Sequence, residues 1–184
     1  MNNPLRILQT LDRCLAAPAE ITLFGRAALA LGYAGGSAVF AATHDVDAIL
    51  PLLWLEAQDE NLDFWEAQQR TNAELASEGL YLTHLFREFE VILTPDWVSR
   101  RVRIPLGLQR LIVFRPATLD LILTKMARGD ENDLADISFL LAREPLTAGQ
   151  LHAAFARART PDVPEIQVLF HAAQPRVLGL VEHR

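Results

Sequence analysis

The chain has 184 residues, of which 51% are apolar, and this apolar fraction excludes a disordered chain. Its net charge of −6 at pH 7 disfavours binding of nucleic acid over the whole surface. Its single cysteine, Cys14, excludes a disulfide framework and is typical of a reducing compartment. No stretch approaches the length of an apolar membrane span, and the first residues lack the pattern of a signal peptide, so we expect a cytoplasmic protein.

Hydrophobic periodicity predicts both helices and strands in the first 115 residues. The predicted helices cover residues 5–16, 26–33 and 52–77. The predicted strands cover residues 21–24, 44–50, 80–86, 88–94, 101–104 and 111–114. The apolar side chains expected to pack into the core from the longest helix are Leu52, Leu55, Leu62, Trp65 and Leu75.

The remaining residues predict helices alone. These cover residues 117–128, 131–143, 148–158 after an N-cap at Thr147, and 163–173. The sequence therefore predicts an α+β fold, in which a small mixed β-sheet has flanking helices and is followed by a helical C-terminal region. We place the α/β core at residues 1–115 and the helical region at 116–184, either as two parts of one domain or as two domains.

An acidic pair is the main candidate for a metal-binding site. Asp45 and Asp47 stand at i and i+2 of a predicted strand, so their side chains project from the same face. Two neighbouring carboxylates repel each other unless a cation lies between them, and Mg²⁺ is the usual cation where phosphates are handled. The pair predicts metal-assisted phosphoryl or nucleotidyl transfer. The alternative is a solvated strand edge or an acidic turn.

A third carboxylate is needed if two metal ions are to be bridged. Glu88 and Glu90 are the candidates, because both alternate with apolar residues on another predicted strand. We favour Glu90, which leads directly into the apolar run 91–93 as Asp47 leads into 48–50. An ordinary exposed strand face is the alternative for either glutamate.

Glycines mark two further candidate segments. Gly25-Arg26 follows a strand and opens a helix, where backbone N–H groups can bind phosphate and the arginine can add a charged contact. A plain strand-to-helix turn is the alternative. Gly35-Gly36-Ser37 lacks the Lys-Ser/Thr of a phosphate-binding P-loop, so we interpret it as a flexible loop that borders the substrate.

Lys125 is the only lysine among the 17 basic residues. A single ammonium in an arginine-rich protein indicates a site that prefers a compact charge, here one facing phosphate. Arg128 lies one turn further along the same helix, and Asp133 and Asp136 of the next helix could pair with both cations. The alternatives are a chance surface lysine and, for Asp133, an acid that stabilises a helix N-terminus.

Together these motifs resemble those of the polymerase-beta-like nucleotidyltransferase superfamily. The likeness is closer to bacterial nucleotidyltransferase-like proteins of the AbiEii type, which are known as toxins of toxin–antitoxin and phage-defence systems. It covers residues 21–142. The matching segments are 23–31, 43–47, 119–125 and 133–137.

The resemblance implies a nucleotidyltransferase-like fold and transfer of a nucleotidyl group from a nucleoside triphosphate to an acceptor. It implies that Asp45, Asp47 and Glu90 (or Glu88) hold Mg²⁺, with two ions in an active enzyme. Gly25 and Arg26 would then contact the phosphates. Lys125, with Arg128 beside it, would neutralise them as pyrophosphate leaves. The acceptor could be tRNA, a protein or a small molecule, and an antitoxin protein is a further expected partner.

Two departures from the superfamily pattern leave a second hypothesis open. The first glycine motif is usually Gly-Gly or Gly-Ser, where this chain has Gly25-Arg26, and the third acid is usually an aspartate. A catalytically degenerate interaction protein of the same fold is therefore the alternative. A metal-dependent phosphohydrolase that uses the same carboxylates is a third.

Overall fold

The computed structural model describes residues 2–35, 38–57 and 61–182, except for the side chain of His84. The chain forms two compact units, one of Met1–Arg87 with Arg101–Arg115 and one of Glu88–Arg100 with Pro116–Arg184. The helices are α1 (Asn3–Cys14), α2 (Gly25–Gly32), α3 (Ala38–Ala41), α4 (Leu52–Glu56), α5 (Leu62–Leu75), α6 (Thr118–Lys125), α7 (Glu131–Arg143), α8 (Ala148–Arg157) and α9 (Pro164–Glu182). The strands are β1 (Ala19–Phe24), β2 (Asp45–Leu50), β3 (Tyr81–Arg87), β4 (Val102–Ile104) and β5 (Leu111–Arg115).

The first unit is built on a five-stranded mixed sheet with the strand order β3-β2-β1-β5-β4. The central strand β1 runs antiparallel to β2 and parallel to β5. Strands β2 and β3 are parallel, and β4 and β5 are antiparallel. The predicted α+β fold with a small mixed sheet and flanking helices is confirmed.

The core of the first unit follows from the two periodicities of its elements. In α1, Ile7, Leu8 and Leu11 share one helix face and are completely buried. On the sheet, the side chains of Val46 and Ala48 are also completely buried, and they alternate with the half-buried acidic residues of β2. The sheet thus has an apolar face on the core side, and the candidate acidic residues point to the other face.

Asp12 ties α1 to the segment that enters β5. Its carboxylate accepts backbone N–H bonds from Gln109 at 3.1 Å, Arg110 at 2.7 Å and Leu111 at 2.8 Å. Burial alone raises the pKa of Asp12, but these hydrogen bonds and the charge of Arg110 outweigh it and hold the pKa below the usual value of 3.8. The charged form is therefore the one that the fold stabilises.

Replacing Asp12 with Asn is expected to lower the free energy of unfolding by about 2 kcal/mol at pH 7, because hydrogen bonds to a charged group are lost. Since the pKa is depressed on folding, this contribution is complete above the unfolded value and disappears as the pH falls below about 4. Urea unfolding of both proteins at pH 7 and at pH 3 measures this. A difference between them that does not shrink on acidification would contradict the argument.

The second unit contains α6 to α9 and the segment 88–100. Its core includes Leu121, Ile122, Ile137 and Leu140, all completely buried. The predicted N-cap at Thr147 is confirmed: its hydroxyl accepts from the Gln150 backbone N–H, and the Gln150 side chain accepts from the Thr147 N–H. Among the residues that the structure describes, no helix is long and apolar enough to cross a membrane.

The predicted strand at residues 88–94 is wrong. Glu88–Glu90 form a short 3-10 helix, and the chain then continues as irregular structure. Glu88 accepts a hydrogen bond of 2.7 Å from the indole N–H of Trp97, and Leu93 forms an isolated antiparallel bridge with Arg159. A contact nine positions along the chain and one with a distant residue are thus found where the alternating pattern indicates sheet pairing.

The predicted helix at residues 52–77 is also wrong as a single element. Its first part ends at Glu56, and α5 begins at Leu62. The side-chain amide of Asn61 donates to the carbonyl oxygens of Trp54 at 2.8 Å and Ala57 at 2.9 Å. These bonds satisfy carbonyl groups at the C-terminal end of α4. Leu52 and Leu62, expected in the core, are 44% and 59% exposed, whereas Leu75 is buried as predicted.

Candidate active site

The turn from β1 into α2 places a helix N-terminus against the acidic strand. Phe24 ends β1 in an extended conformation, and Gly25 then takes a left-handed φ of +61°. A Cβ atom added at Gly25 would lie 2.8 Å from Oδ2 of Asp47. Only glycine allows both this backbone conformation and this close approach, so residue 25 is fixed by geometry.

Asp45 and Asp47 are brought together on one face of β2, as predicted. Both are half-buried, while Val46 between them is buried. Asp47 lies opposite Phe24 in the antiparallel register, which explains why it lies beside Gly25. Asp45 accepts a hydrogen bond of 2.7 Å from the hydroxyl of Thr43. Thr43 opens the matching segment 43–47 and has no predicted role; a hydroxyl two residues before a carboxylate, to which it can donate, is the signal that could have found it.

Arg26 occupies the first turn of α2, directly after the glycine. That turn carries no acidic side chain, so the helix dipole and the guanidinium both contribute positive charge at this end of α2, which lies beside the Asp47 carboxylate. Gly35 of the predicted flexible loop also has a left-handed φ, of +68°. Gly36 and Ser37 lie outside the described residues, and the proximity of this loop to substrate stays a prediction.

Glu88 and Glu90 lie in the second unit, on the short 3-10 helix. Neither residue is in a strand, so the strand position from which a third carboxylate was predicted is wrong. Glu88 holds the indole of Trp97, and Glu90 is exposed. On β3, the strand next to β2, residue His84 stands opposite Asp47. The metal-binding role of Glu90 remains a prediction.

Lys125 ends α6 within the second unit, and its side chain is 8% exposed. Its ammonium lies 2.6 Å from Oδ2 of Asp136 and 3.3 Å from Oδ1 of Asp133. Arg128 donates to both oxygens of Asp133, each at 3.1 Å, and these hydrogen bonds raise the pKa of Arg128 although its partial burial lowers it. The predicted pairing of these cations with the two aspartates is confirmed, while their phosphate roles stay predictions.

Asp120, the acidic residue of α6, has no predicted role but is held by several hydrogen bonds. Asp120 is completely buried and accepts from the Thr94 backbone N–H at 2.9 Å, from the Thr94 hydroxyl at 2.8 Å and from Arg100 at 3.0 Å. Burial raises the pKa of Asp120, against the lowering effect of these hydrogen bonds. Its position within the apolar run 119–123 is the signal that predicts burial. Asp120 anchors the segment 88–100 to α6.

The acidic pair fits Mg²⁺. Mg²⁺ prefers oxygen ligands and is commonly held by one or two carboxylates together with water and substrate phosphates. Asp45 and Asp47 provide two such carboxylates, and the glycine at residue 25 keeps open the space beside Asp47 that a Cβ would fill. Across residues 2–35, 38–57 and 61–182, no group of three or more His, Cys, Asp or Glu residues is arranged to hold a metal.

A glycine turn at a helix N-terminus, facing a carboxylate pair on the adjacent antiparallel strand, is the arrangement expected of a nucleotidyltransferase, in which phosphates and metal meet at one place. The comparisons agree with that class. A family model described as "Nucleotidyltransferase of unknown function (DUF6036)" matches residues 6–159. The chain belongs to this family, and its resemblance to the nucleotidyltransferase superfamily is confirmed.

Comparisons with curated proteins and with solved structures gave no significant match. The closer likeness to AbiEii-type proteins therefore stays a prediction.

Proposed function

We propose that this protein is an Mg²⁺-dependent nucleotidyltransferase that moves a nucleotidyl group from a nucleoside triphosphate to an acceptor. The observation that carries the proposal is the approach of Gly25 to Asp47, where an added Cβ would come within 2.8 Å of the carboxylate. An acid beside a helix N-terminus can stabilise the helix by itself, but this helix N-terminus lies beside a pair of carboxylates, since Asp45 shares a face of β2 with Asp47. A site that binds phosphate and metal side by side needs both.

Asp45 and Asp47 would hold the ion, which when bound screens the charge of the triphosphate and of the leaving pyrophosphate. Backbone N–H groups at the start of α2 would bind phosphate oxygens, assisted by the helix dipole. Arg26 would add a charged hydrogen bond there. These residues all belong to the first unit and bind and orient the nucleotide.

Glu90, Lys125 and Arg128 belong to the second unit, where the contacts given above for the two cations are with aspartates. We keep their proposed roles, as third carboxylate and phosphate contacts, as predictions. The use of two ions is likewise a prediction. A toxin role with an antitoxin protein, and a choice among tRNA, protein and small-molecule acceptors, rest on the sequence resemblance alone.

The proposal predicts that wild-type protein binds at least one nucleoside triphosphate, more tightly with Mg²⁺ than without. Gly25→Ala is expected to weaken that binding at least about tenfold, because the new methyl group displaces the Asp47 carboxylate and moves it away from the phosphates. Isothermal titration with each of the four triphosphates, with and without Mg²⁺, measures both effects.

Gly107→Ala is the matched control. Gly107 also belongs to the first unit and has a left-handed φ of +69°, but nothing lies within 4 Å of its added Cβ. Both variants are expected to lose about 1 kcal/mol of stability from the strained backbone, and only Gly25→Ala is expected to lose nucleotide affinity as well. Wild-type protein that binds none of the triphosphates would refute the proposal and favour the non-catalytic interaction protein.

A further inference from the structure

Thr43 is a residue whose contact is directed at the proposed metal site. Its hydroxyl donates to Oδ1 of Asp45 at 2.7 Å, across the bend at His44 that leads into β2. We propose that Thr43 is a positioning residue: it fixes the plane of the Asp45 carboxylate and thereby sets the affinity for the divalent cation. The inference rests on the proposed function and goes beyond it, because it concerns the residue that orients a ligand.

The backbone around Thr43 is held by other bonds. The Thr43 N–H donates to the carbonyl oxygen of Phe40 at 3.3 Å, and the carbonyl oxygen of His44 accepts from the N–H of Tyr81 at 3.0 Å. The carbonyl oxygen of Ala42 accepts from the side-chain amide of Asn3 at 3.3 Å. The hydroxyl therefore does not supply the bonds that hold this turn.

The chemistry of the hydroxyl fits a positioning role. Threonine is β-branched, so its χ1 angle is restricted, and a hydroxyl has only one hydrogen to donate. When that hydrogen is given to one carboxylate oxygen, the carboxylate can no longer rotate freely, and the direction of its second oxygen is fixed. Partners of this kind commonly change metal affinity or activity by 10- to 100-fold when they are removed.

The test uses Mn²⁺ alone as the probe, because free Mn²⁺ gives an electron paramagnetic resonance signal that decreases when the ion is bound. Thr43→Val, which keeps the shape of the side chain but removes the hydroxyl, is expected to raise the dissociation constant for Mn²⁺ about tenfold. Thr43→Ser keeps the hydroxyl and is expected to recover most of the affinity. Thr83→Val, at an exposed position of β3, is the matched control and is expected to bind as wild type does.

The outcomes separate this inference from the proposed function. Wild-type protein that binds no Mn²⁺ overturns this inference, whereas the proposed function is overturned only by the absence of triphosphate binding. Wild-type binding that Asp47→Asn abolishes but Thr43→Val leaves unchanged overturns the positioning role alone. A Thr43→Val protein that melts at the wild-type temperature without metal but binds Mn²⁺ weakly supports it. If both Thr43→Val and Thr43→Ala fail to fold, the hydroxyl is needed for folding and the inference is overturned.

Discussion

Replacing Asp47 with Asn is expected to abolish Mg²⁺-dependent nucleotide binding and nucleotidyl transfer while the protein stays folded. Asn keeps the size of the side chain but removes the negative charge that, in the proposed function, holds the cation. Because loss of a residue that only orients a metal ligand costs 10- to 100-fold, loss of a ligand itself is expected to cost about 100-fold or more in affinity. Titration with the triphosphate that wild type binds best, at a fixed Mg²⁺ concentration, measures this loss.

Asp45→Asn is expected to behave in the same way, since both carboxylates stand on one face of β2. Glu66→Gln is the control, because it makes the same carboxylate-to-amide change in the first unit at a side chain that is 58% exposed. Melting temperatures of all variants within about 5 °C of wild type would show that folding is intact. Nucleotide binding by the Asp47 variant at wild-type affinity and with wild-type Mg²⁺ dependence would refute the role of this strand.

Local patterns were sufficient to predict β2, which carries the acidic pair, and helix α7. The alternation of Asp45, Val46 and Asp47 predicts a strand with the acids on one face, and β2 has that arrangement. Helix α7 has the predicted bounds because Asp130 caps it by accepting from the N–H of Asp133. In both cases the residues that decide the structure lie within a few positions of one another.

The same alternation failed at Glu88–Glu90 because distant residues decide that segment. The indole of Trp97 binds Glu88, and the bridge at Leu93 is formed with Arg159, far along the chain. No local pattern carries this information. The prediction of a third carboxylate depended on a strand here, and Glu88–Glu90 form a 3-10 helix instead.

Lys125 shows how far a composition argument reaches. As the only lysine of the chain, it was predicted to have a specific role. For its partners Asp133 and Asp136, the sequence predicts only that they lie on one face of a helix. The structure adds that the ammonium and both carboxylates are almost completely buried, with side-chain exposures of 8%, 2% and 4%. Burial changes the expected energetics, because an unpaired buried charge is far more costly than an exposed one.

Lys125→Met is therefore expected to destabilise the protein by about 3 kcal/mol, because the buried Asp136 carboxylate loses its ammonium at 2.6 Å, whereas Asp133 keeps its two hydrogen bonds from Arg128. Urea unfolding measures the total effect, and hydrogen exchange in peptides from α6 and α7 is expected to accelerate most, which would locate it in the second unit. Arg157→Met is the control in the same unit. Its side chain is 55% exposed and paired with Asp96, and the expected loss is about 1 kcal/mol or less.

The double variant Lys125→Met/Asp136→Asn is expected to recover part of the lost stability, because the buried charge of Asp136 is removed together with its ammonium partner. A stability loss in Lys125→Met no larger than in Arg157→Met would contradict the buried ion-pair argument. Nucleotide binding by the folded double variant also tests the phosphate role of Lys125, because a lysine that contacts phosphate is needed for binding and a purely structural lysine is not. If the double variant is stable but binds nucleotide weakly, Lys125 contacts phosphate; if it binds as wild type does, the lysine serves the fold.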